Sequence, residues 1–379
     1  MSKISVIGVG RIGLGIALNF ESQGHEVIGY DIDDKYVQLL NKKCILSSEP
    51  KIVKMLKQSK NFIASTDILK AIDCDYIFIM VRTESKENGE YNHEQVETVF
   101  KNLIKNKVNN KTVVLCSNVS PGFCNSWTKK LKSSGYLLSF NPEWVAQGTI
   151  IKNLQNPDVV VIGEYNKTEG KKIENLLNVN CEVHRMDPTS AELTKVGLNC
   201  FLTTKISYAN SLGDLALKMG ANPNKILNAI GKDSRIGNKY FSYGHSYGGP
   251  CFPRDNRALI YTSEKYGEKA LLQKASDEIN KNHLEFMVEE FCKNNGRGKV
   301  VYITDVTYKP GVEYIEESRQ LDFAKMLVDR GYDVYIKERK SVIDKVKQKY
   351  GTRFCYEIDE SRSKNVYGDN PDKNYKYML

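Results

Sequence analysis

The apolar positions change period along the chain, and each change marks an element. Residues Lys3–Val9 alternate and are β-branched, which predicts a strand. Leu14–Glu21 follow a helical period, and Glu26–Tyr30 alternate again as a second strand. More strands are predicted at Tyr76–Val81, Thr112–Cys116, Tyr136–Phe140 and Val159–Gly163, with a helix at His93–Asn106. Strands alternating with helices predict a doubly wound α/β domain reaching roughly residue 185. Thr189–Lys218 reads as one long helix, opened by the start signal Asp187-Pro188-Thr189-Ser190-Ala191-Glu192. Leu193, Val196, Leu202 and Ile206 are its expected inward positions. Helices fill the chain to about Asn295. A strand at Lys299–Ile303, a helix at Glu317–Arg330 and a strand at Asp333–Lys337 form a second α/β unit. Asp359–Leu379 is polar and reads as irregular.

The first turn carries chemistry. Gly8-Val9-Gly10-Arg11-Ile12-Gly13 lies between the first strand and its helix. Its glycines permit a tight turn, close approach of a pyrophosphate and helix–strand packing. The helix start offers free N–H groups and positive potential to phosphate. Asp31 closes the second strand, where a carboxylate binds ribose hydroxyls. Asp33 and Asp34 follow it, an acidic cluster that a 2′-phosphate would meet, so NAD is expected rather than NADP. A lone glycine motif says little. This one follows a strand, opens a helix and ends its βαβ unit in Asp.

A second glycine turn, Tyr247-Gly248-Gly249-Pro250-Cys251-Phe252-Pro253-Arg254-Asp255, frames a cysteine with a carboxylate four residues on. Intracellular cysteines are mostly small buried hydrophobes. Of the nine here, Cys251 alone sits in a Gly/Pro turn beside an arginine and a carboxylate, the setting of a nucleophile. No CxxC pair or Cys/His cluster is present, so no metal is expected, and the irregular spacing predicts reduced thiols. Lys195 and Asn199, four apart, share a helical face. The formal charge is +9, from 55 basic and 46 acidic residues, but the lysines are dispersed. No nucleic-acid partner is expected from that spread. No signal peptide and no apolar run of membrane-spanning length is read, so a soluble, cytoplasmic protein is expected.

Taken together, the motifs resemble the UDP-glucose/GDP-mannose dehydrogenase family over nearly the whole chain. They run in family order. Besides the two glycine turns they are Ser117-Asn118-Val119-Ser120-Pro121-Gly122-Phe123, Asn141-Pro142-Glu143-Trp144 and Glu192-Leu193-Thr194-Lys195 with Asn199. Arg235-Ile236-Gly237-Asn238-Lys239-Tyr240, Tyr308-Lys309-Pro310 and Glu317-Ser318 complete them. The resemblance implies two Rossmann-like doubly wound domains joined by a long central helix and a helical dimerisation region. The C-terminal domain looks shortened. The expected domains are 1–187 for NAD, 188–296 carrying the cysteine, and 297–379 for the UDP-sugar.

The implied activity is a four-electron oxidation of a nucleotide sugar at C6. UDP-glucose would go to UDP-glucuronate through a Cys251 thiohemiacetal and thioester. By resemblance, Lys195 and Asn199 stabilise the oxyanion and hold water, and Asp255 supports that water. Glu143 is an acid–base group, and Asn118 stands at a catalytic hydroxyl position. Gly8, Gly10, Arg11, Ile12, Gly13, Asp31, Thr83 and Asn118 are the implied cofactor residues. Glu143, Lys195, Asn199, Arg235, Tyr240, Gly248 and Lys309 are the implied substrate residues, with Arg235 reaching across a homodimer interface. Several positions depart from the family pattern. Arg82 replaces a proline, Asn118 a threonine, Gln147 a second glutamate, Asp305 a glycine and Glu316 an arginine beside which Arg319 stands. Two other readings stay open: a 6-dehydrogenase of GDP-mannose or a UDP-N-acetylhexosamine, and a nucleotide-sugar-binding protein with impaired turnover.

Overall fold

The computed structural model describes residues 1–244, 246–295, 300–309 and 311–357. Its chain divides into two compact units, Met1–Val196 and Gly197–Leu379.

The first unit begins with β1 (Lys3–Ile7), α1 (Arg11–Ser22), β2 (Glu26–Tyr30), α2 (Asp34–Asn41), α3 (Ile52–Gln58) and β3 (Phe62–Ser65). It continues through α4 (Ile68–Ile72), β4 (Tyr76–Ile79), α5 (Glu94–Lys105), β5 (Lys111–Leu115) and α6 (Phe123–Ser133). It closes with β6 (Tyr136–Phe140), α7 (Ile150–Gln155), β7 (Val160–Glu164), α8 (Lys167–Leu177) and β8 (Val183–Met186). The strands form one sheet in the order β3-β2-β1-β4-β5-β6-β7-β8. All pairs are parallel except β6 with β7, which meet antiparallel at Ser139↔Glu164 and Phe140↔Gly163. Each face of the sheet has its own core. Ile4, Val6, Phe78 and Val114 pack against Leu14 and Leu18 of α1 on one side. Ile7, Ile77, Ile79 and Leu115 pack with Phe100 of α5 and Leu131 of α6 on the other. Helices over both faces are what a parallel sheet requires. The first helix starts at Arg11, earlier than Leu14, because the Gly10 carbonyl already accepts from Leu14 N at 2.8 Å.

Helix α9 (Pro188–Lys218) follows, and the division between the units falls inside it. Leu193 was expected to face inward, yet it is 47% exposed. Val196 is buried as expected and Leu202 and Ile206 are half-buried, while small or polar residues fill much of the rest of the inward face: Asn199, Cys200, Thr203, Ser207 and Asn210. Their spacing is helical, but a hydrophobic count does not see them.

The second unit continues with α10 (Pro223–Gly231), α11 (Phe252–Lys265), α12 (Leu271–Asn295) and β9 (Val300–Thr304). Then come α13 (Arg319–Asp329), β10 (Asp333–Lys337), α14 (Lys340–Tyr350) and a short 3-10 turn at Gly351–Arg353. Strands β9 and β10 pair in parallel as a two-stranded sheet. The expected division at 296/297 does not separate cores here: Leu227 and Met287 pack in the same cluster as Val301 and Ile336. Helix α13 begins at Arg319 rather than Glu317, because Glu317 has φ +46° and Ser318 caps the helix by accepting from Leu321 N. Lys299, Pro310 and the segment 359–379, for which readings were made above, lie outside the described residues.

Candidate active site

In the first unit, the turn from β1 to α1 is shaped by its glycines. Gly8 has φ +89°, and a Cβ there would sit 2.5 Å from the Met80 carbonyl oxygen. A Cβ on Gly13 would lie 2.0 Å from the Gly8 oxygen. Gly10 differs, since a Cβ there meets nothing within 4 Å. It is the N-cap of α1, with no side chain capping the helix. Open space in front of uncapped N–H groups is what a pyrophosphate needs. Asp31 follows the carboxyl end of β2, and its Oδ1 accepts from Asp33 N at 3.2 Å. Asp33 in turn caps α2 by accepting from Tyr36 N. Ile12 packs against the core, while Arg11 donates to Gln147 Oε1 at 3.5 Å. Thr83 is buried beyond β4, and Asn118 is half-buried beyond β5. This constellation fits NAD: a gap at Gly10, a helix N-terminus behind it and a carboxylate at the neighbouring strand end.

The same unit holds Glu143 and Lys195. Asn141 fixes the loop after β6, its N donating to Leu115 O and its Nδ2 to Val161 O, both at 2.9 Å. Lys195 Nζ donates to the Glu143 carbonyl at 2.7 Å and lies 4.6 Å from the centre of the Trp144 ring. Burial pushes the Glu143 carboxyl up to about 7, against the pull of the Lys195 ammonium. A carboxyl titrating there is poised to exchange protons near neutrality. Glu192, one turn before Lys195, is buried and accepts from Gly122 N at 2.6 Å and Cys124 N at 2.9 Å. It therefore caps α6 at the end of the Asn118 loop.

The second unit holds the cysteine. Cys251 is exposed at the N-cap of α11, where helix N–H groups favour negative charge. One turn on, Asp255 is fully buried. Its carboxylate accepts from Asn199 Nδ2 at 2.6 Å and from Arg254 Nε at 2.9 Å. The turn before Cys251 is braced on every side. A Cβ on Gly248 would lie 2.3 Å from Glu317 O, and one on Gly249 2.3 Å from the Tyr308 ring. Arg319 Nε donates to Tyr247 O at 2.9 Å, and the Tyr247 hydroxyl binds Asp277. The Tyr240 ring meets Phe252 edge-on at 6.0 Å, which brings Tyr240 to the residue after Cys251. Lys309 follows Tyr308, against which Gly249 packs. Arg235 stands apart, its side chain 86% exposed and forked on Asp233.

The expected residues thus fall into two sets. Gly8, Gly10, Arg11, Ile12, Gly13, Asp31, Thr83, Asn118, Glu143 and Lys195 belong to the first unit. Asn199, Arg235, Tyr240, Gly248, Cys251, Asp255 and Lys309 belong to the second. Lys195 and Asn199 share α9, one turn apart. Sequence reasoning gave no part to Arg254, Tyr247, Trp144 or the Arg257–Glu317 pair at 2.6 Å. Adjacency was the available signal for Arg254 and Trp144, each next to a residue already singled out. Tyr247 opens the glycine turn, but its contact with Asp277 and that of Arg257 with Glu317 span 30 and 60 residues, and no local pattern marks them. Among the described residues no cluster of three or more His, Cys, Asp or Glu is placed to hold a metal.

A family model for the NAD binding domain of UDP-glucose/GDP-mannose dehydrogenases matches residues 2–179, and one for the family's central domain matches residues 189–282. The chain belongs to the UDP-glucose/GDP-mannose dehydrogenase family. It is accordingly an NAD-dependent nucleotide-sugar dehydrogenase. The UDP-glucose 6-dehydrogenase of Rickettsia felis is 30% identical over 352 residues, 88% of this chain and 77% of that protein. The GDP-mannose 6-dehydrogenase of Pseudomonas aeruginosa is 29% identical over 355 residues, 89% of this chain and 81% of that protein. A solved UDP-glucose dehydrogenase from Pyrobaculum islandicum superposes with a TM-score of 0.88 at 28% identity, covering 95% of this chain and 87% of its own. No helix among the described residues is long and apolar enough to cross a membrane.

Proposed function

We propose that this family member oxidises UDP-glucose at C6 to UDP-glucuronate, through a covalent intermediate on Cys251. The observation that carries the reading is the exposed cysteine at the α11 N-cap, held by a glycine turn that has no room to move. NAD, when bound, accepts hydride, and oxidation from alcohol to acid requires two such transfers. Cys251 adds as thiolate to the aldehyde carbon, making a C–S bond. Lys195 and Asn199 stabilise the oxygen that becomes negative. After the second oxidation a thioester remains. Water adds to its carbonyl, the C–S bond breaks and the thiolate leaves. Glu143 takes the proton of that water, for which its raised acidity range suits it. Asp255 holds Asn199 in place through the 2.6 Å bond.

UDP-glucose is favoured over GDP-mannose by the run Arg235-Ile236-Gly237 with Tyr240, which resembles the UDP-glucose branch of the family. The exposed apolar residues Leu198, Phe201, Tyr208 and Leu215 of α9, with Met219 just after it, support a homodimer, with Arg235 serving the partner's substrate. The test is the count of NADH formed per sugar, with UDP-glucose, GDP-mannose and UDP-N-acetylhexosamines in parallel. Two NADH per UDP-glucose, and little with the others, is expected. One NADH per sugar overturns the covalent route, and a preference for another nucleotide sugar overturns the substrate. Binding without any reduction of NAD identifies a protein with impaired turnover.

A further inference from the structure

The segment that leads to Cys251 passes through Tyr247, which belongs to no helix or strand and is only 3% exposed. A buried backbone group needs a partner even outside regular structure. Tyr247 finds a partner for both of its groups on one side chain. Its N donates to Asn280 Oδ1 at 2.8 Å, and its carbonyl accepts from Asn280 Nδ2 at 2.9 Å. An asparagine amide offers one acceptor and one donor side by side, so it pairs with a residue as a neighbouring strand does. Asn280 lies on α12 and is 2% exposed. One turn earlier on that helix, Asp277 binds the Tyr247 hydroxyl. The Asn280 carbonyl accepts from Ser246 Oγ at 3.3 Å. One face of α12 therefore holds Tyr247 by backbone and side chain, whereas Arg319 shares only its carbonyl. Little freedom remains between Tyr247 and the thiol. Gly249 N donates to Glu317 O at 3.1 Å, and the ring of Pro250 fixes its φ. A shift at Tyr247 is thus passed on to Cys251.

We propose that Asn280 is a positioning residue for the nucleophile, setting through the Tyr247 backbone how much of the aldehyde Cys251 captures. The inference rests on the covalent role given to Cys251 above. Capture and escape compete once the first hydride has left. In capture the thiolate forms a C–S bond to the aldehyde carbon, and the carbonyl electron pair moves onto oxygen. In escape no bond forms and the aldehyde leaves for solvent. A misplacement of about 1 Å costs up to a hundredfold in such a step, while escape is indifferent to it. Losing the Asn280 pairing therefore changes the partition between the two, and not only the rate.

The test uses the full chain with NAD and UDP-glucose. Asn280→Leu keeps the volume and removes both bonds. Asn280→Ser supplies the reading if Asn280→Leu does not fold. Val288→Ala, a core position on the same helix, controls for lost stability. Hydroxylamine traps escaped aldehyde as its oxime. The Asn280 variants are expected to give at least threefold more oxime per NADH than the wild type, a ratio that does not depend on how much of the protein is folded. Val288→Ala is expected to match the wild type. A second readout needs no substrate: alkylation of Cys251 by iodoacetamide, followed by peptide mass spectrometry against the exposed Cys355. It is expected to slow about tenfold in the Asn280 variants, as the sulfur leaves the helix N-terminus that favours its thiolate. Oxime unchanged in the Asn280 variants, or raised equally in Val288→Ala, overturns the proposal. So does alkylation that is unchanged or faster. If the wild type is inactive on UDP-glucose and alkylation still slows in the variants, the substrate assignment falls and the positioning role stands.

Discussion

Two glycine turns in this chain each deliver the backbone to the start of a helix, and they do opposite things with it. The turn from Gly8 to Gly13 leaves space: Gly10 has nothing within 4 Å of a notional Cβ, in front of the uncapped start of α1. The turn through Gly248 and Gly249 leaves none, because both glycines press on Glu317 and Tyr308. The first empties the helix end for a ligand's charge. The second fills it with the protein's own side chain, Cys251, and braces the backbone that carries it. Under the proposed function, the same local device, glycines ahead of a helix N-terminus, serves binding when it is open and nucleophile placement when it is packed.

The contrast breaks most sharply at the cysteine. Cys251→Ala is expected to lower the rate of acid formation at least a thousandfold, about 4 kcal/mol of barrier, while NAD and sugar still bind. Two NADH per sugar at the wild-type rate from this variant would refute the packed turn's purpose. Next in size are the clashing glycines. Gly13→Ala drives a methyl into the backbone oxygen of Gly8 and is expected to cost about 3 kcal/mol of stability, read from the denaturant midpoint. Gly249→Ala meets a tyrosine ring that can shift, but at φ +78°, and about 2 kcal/mol is expected. A loss at Gly249 larger than at Gly13 would reverse this ranking. The smallest effect sharpens the comparison. Gly10→Ala has room and φ −61°, so stability should hold within about 0.5 kcal/mol. Its NAD affinity, by calorimetry, should fall about tenfold, because the methyl occupies the phosphate's approach. Unchanged affinity would mean the gap is not where the pyrophosphate lies.

Strong local signals were legible in the sequence. Tyr136–Phe140 and Asp333–Lys337 are strands over the residues their alternation marks. The helix at His93–Asn106 is observed as Glu94–Lys105. Phe62–Ser65 and Val183–Met186 went unread, being four-residue strands, the latter with no buried residue. The reversal between β6 and β7 has no local cause either, since strand direction is set by the path of the connecting chain. At the site, the glycine turns and the Lys195–Asn199 spacing were readable because turn chemistry and helical period are local. The braces were not. Arg319 reaches the Tyr247 carbonyl across 72 residues, and no spacing rule points from one to the other. The inward face of α9 was misjudged at Leu193 because, Val196 aside, its buried side chains are mostly Ala, Asn, Cys, Thr and Ser.

The Glu192 cap on α6 also bears on the order in which the chain acquires its shape. The Gly122 amide at the end of the Asn118 loop is held by a carboxylate 70 residues later. Neither α6 nor its own preceding residues supply a side chain for that end of the helix. A nascent chain emerging from the ribosome would therefore carry β5, α6 and β6 with this corner unset, until the first turn of α9 arrives. Contacts of such sequence separation form late. The loop bearing Asn118 and the helix bearing Lys195 would then reach their final geometry in one step, near the end of the first unit's folding.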